Sequence, residues 1–439
     1  MQEHPRRREL IDELHARPFA EVSAPCDVIF LAFKHPENAA GRDRAAERQL
    51  LMDRLETQGM GAERVGSNHF LGRIDTQNDE AGSRPGDLLK WEQHSEFTSL
   101  ALFRSEVADT AFAFDDARAT VRQWALGMTA PALVQVSLRV EFMPEDAGTL
   151  SANLNQWFNP KSLAAARILD GRAVLAGDFQ IDAQGHMRFA LFVPQDASPL
   201  QIGQIVQSVL EIETYRAMAM LGLDRARNLG QILTDYDQRL EDTVLNMAKA
   251  DTDAENLLFG LLDISATLEE QAALMMFRFG ATKAYNAIVH DRITLLREQR
   301  YEGVQTFHEF MTRRFDPAIR TVSSTQERLN SQLDRTTRTA ELLRTRVDVS
   351  RSAENQSLLS SMDRRTGLQL RLQRTVEGLS VIAISYYAVN LLSGLLYPLA
   401  QALSVTKPQL TAVLVPPVIA LVALLIRRVR TGLGRDSDD

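Results

Sequence analysis

A chain of 439 residues has room for two or three structural units. Its formal charge of −8 gives no reason to expect nucleic acid as a partner. The single cysteine, Cys26, excludes an internal disulfide and a cysteine-built metal cluster, and it agrees with a reducing compartment.

Residues 1–14 are polar and charged, without the apolar core of a signal peptide. Leu10, Ile11 and Leu14 lie at helical spacing, and Pro18 ends that helix. Arg6-Arg7-Arg8 is a short run that reads as solvated or lipid-facing. Asp27 to Phe33 (DVIFLAF) reads as a buried strand, Asp43 to Gln58 as a helix, and Phe70 to Ile74 as a strand. Ser83 to Gly86 reads as a turn, and Trp91 to Phe103 as one strand. A helix is predicted over Ala111 to Trp124. Leu133 to Phe142 alternates apolar and polar residues, as a half-buried strand does. Ala173 to Val193 holds two apolar runs around Asp182-Ala183-Gln184-Gly185, the pattern of a hairpin with glycine where positive φ costs little. Residues 1–197 are therefore expected to form an α+β domain with a mainly antiparallel sheet.

From Ser198 the texture turns helical. Pro199 suits a first helical turn. Ile202, Ile205, Val206, Val209, Leu210 and Ile212 form an apolar stripe, and helices are predicted over 215–248, 253–279 and 281–314. The helical region spans 198–315. Asp316-Pro317 then opens a long stalk, 316–377. Val322, Gln326, Leu329, Leu333, Thr336, Ala340, Leu343 and Val347 step by threes and fours, a coiled-coil seam with polar members. Hinges are expected near Gly367 or Gly378.

Two uncharged apolar stretches follow, about 379–399 and 410–426. A bilayer core needs roughly 20 apolar residues of helix. The first stretch meets that length. The second is shorter and is expected to carry Pro416-Pro417 in its first turns. Residues 378–426 are thus predicted to be a transmembrane hairpin, followed by a basic then acidic tail, 427–439. Arg364, Arg365, Arg371 and Arg374 precede it and Arg427, Arg428, Arg430 and Arg435 follow it, whereas the connecting loop holds only Lys407. The positive-inside rule then places both ends in the cytoplasm, with an anionic leaflet to meet the arginines.

Few residues point to chemistry. His94 and Glu96 stand two apart on the predicted strand and so share a face. With His15 they form a candidate metal or acid–base group. The plainer alternative is structural: His15 and Arg17 pin the N-terminal helix, and His94 and Glu96 satisfy each other. No phosphate loop, dinucleotide fingerprint or nucleophile elbow is present. In the first apolar stretch Asn390 is expected to hydrogen-bond another helix, or to stand on an ion pathway. Tyr386 and Tyr387 are expected to pack between helices.

Glu13–Pro18 (ELHARP), Trp91–Phe97 (WEQHSEF), Leu210–Arg216 (LEIETYR) and Gly378–Val389 together resemble DUF3422, a family of uncharacterised bacterial membrane-anchored proteins. The resemblance spans nearly the whole chain and implies a membrane protein, but no activity. The layout is also similar to that of CorA-type divalent-cation transporters. Tyr387-Ala388-Val389-Asn390 matches their Tyr-Gly-Met-Asn signature only at its two ends, and it falls mid-span rather than at the far mouth. The expected function is a non-enzymatic sensor or scaffold, without cofactor. It would be anchored in a bacterial inner membrane as a homo-oligomer. The alternatives are a divergent CorA-like channel and a metal-dependent hydrolase.

Overall fold

The computed structural model describes residues 3–4, 7–8, 19–35, 42–57, 64–65, 68–74, 87–247, 249, 253–402 and 406–433. The expected N-terminal helix, His15, Arg17 and the turn at 83–86 lie outside these residues. The chain divides into two compact units, residues 1–252 with 259–340, and residues 253–258 with 341–439.

In the first unit the described strands are β1 (Cys26–Phe33), β2 (Arg64–Val65), β3 (His69–Ile74), β4 (Asp87–Gln93), β5 (Thr98–Arg104), β6 (Ala132–Phe142), β7 (Ala164–Ile168), β8 (Ala173–Ile181), β9 (Met187–Val193) and β10 (Gln299–Arg300). They form one sheet in the order β10-β7-β8-β9-β6-β1-β5-β4-β3-β2. All neighbours are antiparallel except β6 and β9, which run parallel from Val136 beside Met187. The mainly antiparallel sheet is as the sequence implies.

Helices cover both faces of the sheet. On one lie α1 (Arg44–Thr57), α2 (Asp115–Ala125) and α3 (Ala147–Trp157), whose Leu51, Leu55, Val121, Trp124, Leu150 and Leu154 meet Ile29, Leu102, Val174 and Phe192. On the other lie α4 (Pro199–Met247), the end of α5 (Ala254–Leu295) and α6 (Phe307–Arg314). They bring Val206, Val209, Val289, Ile293, Phe307 and Met311 onto Val28, Val136, Leu138 and Leu191. Strands covered on both faces need apolar residues at nearly every position, which is why β1 reads as an unbroken run.

The segment expected to be one strand, Trp91 to Phe103, is instead the hairpin β4–β5. Its turn shows only in one short-range hydrogen bond, His94 N–H to the Phe97 carbonyl at 2.9 Å. The hairpin β8–β9 forms as expected, with Gly185 at φ +89°. The expected helix 281–314 is interrupted. After Leu295 the chain passes through Arg297, Glu302 and Gly303, all at positive φ, and lays β10 against β7. A capping box of Thr306 and Glu309 then starts α6. Helices α4 and α5 cross closely at Gly222, where a Cβ would overlap Oγ1 of Thr282.

Helix α7 (Asp316–Ala402) runs unbroken through Gly367, Gly378 and Pro398, so the expected hinges are absent. Its buried stripe is Val322, Thr325, Leu329, Gln332, Thr336, Thr339, Leu343 and Val347. The spacing is the predicted one, but Thr325, Gln332 and Thr339 face inward where Gln326, Leu333 and Ala340 were expected. The physical reason lies on α4 of the same unit. Gln332 donates to the Leu233 carbonyl at 2.8 Å, and Arg328 donates to Asp237 at 2.6 Å.

In the second unit the C-terminal part of α7 pairs with α8 (Lys407–Leu433). Both helices are long and apolar enough to cross a membrane. Pro416 and Pro417 fall in the interior of α8 rather than in its first turns, because that helix begins earlier than the apolar run alone suggested.

Candidate functional site

The polar residues of the β4–β5 turn organise a cluster of buried charge. Glu96 is turned into the protein, with 2% of its surface exposed. Its carboxylate accepts a hydrogen bond from the Tyr285 hydroxyl at 2.8 Å and a charge-assisted one from Arg278. The Lys34 ammonium stands 4.0 Å away and donates to the His35 carbonyl. Lys34 sits at the end of β1, and Arg278 and Tyr285 lie seven residues apart, on one face of α5. Burial pulls the Lys34 pKa down, while Glu96 pushes it back up. Burial and the adjoining Glu96 carboxylate hold the Tyr285 phenol well above its ordinary range, so it stays a donor.

Glu47 of α1 forms a neighbouring hub. It accepts from Thr98 at 2.5 Å and from Gln93 at 3.2 Å, and it pairs with Arg42 at 2.9 Å. Arg42 also donates to Thr98 and to the His94 carbonyl. The turn is thus tied to β1, α1 and α5 at once.

A third chain of polar groups crosses the interior between sheet and helix. Lys90 pairs with Glu92 at 3.1 Å and donates to Gln207 at 2.7 Å. Gln207 donates to Glu211 at 2.8 Å, and Arg292 donates to Glu211 in turn. Beside this chain is a cavity of about 30 Å3 bordered by His94, Phe97 and Tyr215, room for one or two waters rather than an organic substrate.

His94 does not join Glu96. Its ring stacks on Phe97 at 4.1 Å between centroids, and Phe97 meets Tyr215 edge-on. The two residues occupy a turn, so the two-residue spacing that aligns side chains on a strand does not apply. Among the described residues no three His, Cys, Asp or Glu side chains are placed to hold a metal, and His15 lies outside them. Sequence reasoning missed Lys34, Arg42, Glu47, Arg278 and Tyr285. Only the seven-residue step from Arg278 to Tyr285 carried a signal.

Among the described residues of the apolar hairpin, Ser385 and Ser393 are the buried polar side chains, rather than Tyr386, Tyr387 or Asn390. Ser385, Val389 and Ser393 recur every four residues, and Val389 packs with Val418 and Val422. The Ser393 hydroxyl stands 3.3 Å from that of Thr411. Tyr387 and Asn390 are exposed, and Tyr386 meets Tyr387 edge-on at 5.7 Å rather than packing between helices. A helix interface selects small side chains for close approach, which favours the serines.

A family model described as a protein of unknown function, DUF3422, matches residues 2–433. No curated protein and no solved structure matches the chain.

Proposed function

Taking as premise that the chain belongs to the DUF3422 family, whose function is unknown, we propose that it is a membrane-anchored scaffold or sensor. The α+β body works on the cytoplasmic face of a bacterial inner membrane, and the C-terminal helical hairpin is the anchor. One observation carries this reading. The hairpin presents Leu379, Ile382, Leu391, Leu395, Leu399, Val413, Leu421 and Leu424 outward. Only 17% and 11% of the most apolar windows of the two helices are buried. In water such a surface is costly at roughly 25 cal/mol per Å2, and in hydrocarbon that cost vanishes.

The reading is non-enzymatic because the buried carboxylate of Glu96 is engaged by Tyr285 and Arg278 rather than facing open space. It includes a homo-oligomer, because the outward amide of Asn390 gains a hydrogen-bond partner in lipid from a second copy. The test is deletion of residues 378–439. The shortened chain is expected in the soluble fraction, folded, while the full chain stays in carbonate-washed membranes. A shortened chain that remained in washed membranes would refute the anchor.

A further inference from the structure

Within the first unit, the loop after α3, the end of β8, the loop after β10 and helix α6 enclose an open groove of about 1040 Å3. Its acids are already engaged. Asp178 is buried, accepts the backbone N–H groups of Asn159 and Gln180 at 3.0 and 3.2 Å, and lies 3.8 Å from Arg188. Glu309 accepts from Arg300 and from the Thr306 backbone N–H. Lys161, Arg313 and Arg314 line the same groove and have no ion pair among the described residues. His308 lines it as well.

The apolar wall is held in place at a conformational cost. Phe179 sits in a bulge of β8 at φ +53°, where L residues are rare. Such a bulge re-aims a side chain. Here the Phe179 ring lies flat on Phe310, 4.1 Å between centroids with 13° between planes.

We infer that this groove binds a small molecule carrying two or more adjacent phosphates. Lys161, Arg313 and Arg314 engage the phosphoryl oxygens, and the Phe179–Phe310 pair forms the apolar wall. Three cations without acidic partners match a multiply charged anion better than a single carboxylate. Arginine forks fit phosphate oxygens in pairs, and the volume is of the order that small-molecule sites reach. The inference does not depend on the membrane reading, since every residue used lies between 159 and 314. The same chemistry belongs to a soluble polyphosphate compound and to a multiply phosphorylated lipid headgroup.

The test uses the full chain in neutral detergent. Calorimetric titration with tripolyphosphate runs beside titration with a short-chain, multiply phosphorylated lipid. Saturable tripolyphosphate binding is expected, weakening as salt rises. The double variant Arg313→Glu/Arg314→Glu should bind about tenfold or more weakly, from the loss of charge-assisted bonds. Binding of the lipid alone, lost in the same variant, supports the site and assigns the headgroup as its source. Should the double variant misfold, protection of Lys161 from acylation by either ligand in the unaltered chain decides the matter. Absence of binding by both ligands overturns the inference. So does equal binding by a variant of unchanged melting temperature, or an unprotected Lys161.

Discussion

At the scale of single residues, Glu96 has the most to lose. Its carboxylate joins a turn of the sheet to helix α5 through Arg278 and Tyr285, 182 and 189 residues away in sequence. Removing one partner of a buried ion pair leaves the other charge uncompensated, which costs about 3–5 kcal/mol. Arg278 keeps 14% of its side chain exposed and so recovers some solvation. Glu96→Ala is therefore expected to lower stability by about 3 kcal/mol. Glu96→Gln, which keeps an acceptor for Tyr285, should cost less. Denaturant unfolding of the full chain in detergent measures both. A change within about 0.5 kcal/mol for Glu96→Ala, the size usual for an unengaged surface position, would mean that the clamp contributes nothing.

The element that most repays attention is the buried seam of α7. Gln332 and Thr336 are buried, and the Gln332 Oε1 and Thr336 Oγ1 atoms have no hydrogen-bond partner among the described residues. A buried acceptor without a partner costs about 1–3 kcal/mol, while a neutral hydrogen bond returns about 1 kcal/mol. Gln332→Leu removes the stranded oxygen along with the bond to Leu233, whose carbonyl stays within the helical ladder of α4. The substitution is expected to raise the melting temperature, by about 1 kcal/mol in stability. A clear drop would mean that the hydrogen bond to the Leu233 carbonyl outweighs the cost of the stranded oxygen. Polar seam positions trade stability for register, and here that register sets α7 against α4.

For the whole molecule the informative property is the distribution of charge about the two apolar helices. Four arginines precede the first at positions 364–374 and four follow the second at 427–435, against Lys407 alone between them. The positive-inside rule predicts from this that both ends of a membrane-spanning hairpin would lie on one side. Reporter fusions after Ser404 and after Arg435 are expected to signal opposite sides of the membrane. Reporters found on the same side would rule out a hairpin, whatever its helices bury.

Local patterns carried much of this architecture. The apolar length of the two C-terminal helices, the glycine turn of β8–β9 and the three-and-four spacing of α7 depend on residues near one another, so the chain alone determined them. The tertiary structure decided what depends on partners far away in sequence. The turn between β4 and β5, His94-Ser95-Glu96-Phe97, holds no glycine, proline, asparagine or aspartate, so no local turn signal separated the two strands. Strands β2 and β10 are two residues each and exist only through pairing with β3 and β7. Arg278 and Tyr285 look like the solvated face of a helix until the fold brings Glu96 against them. The inward choice of Gln332 over Leu333 follows from the Leu233 carbonyl, 99 residues earlier. A periodic pattern names the stripe that must be covered, and only packing determines which side chains meet beneath the cover.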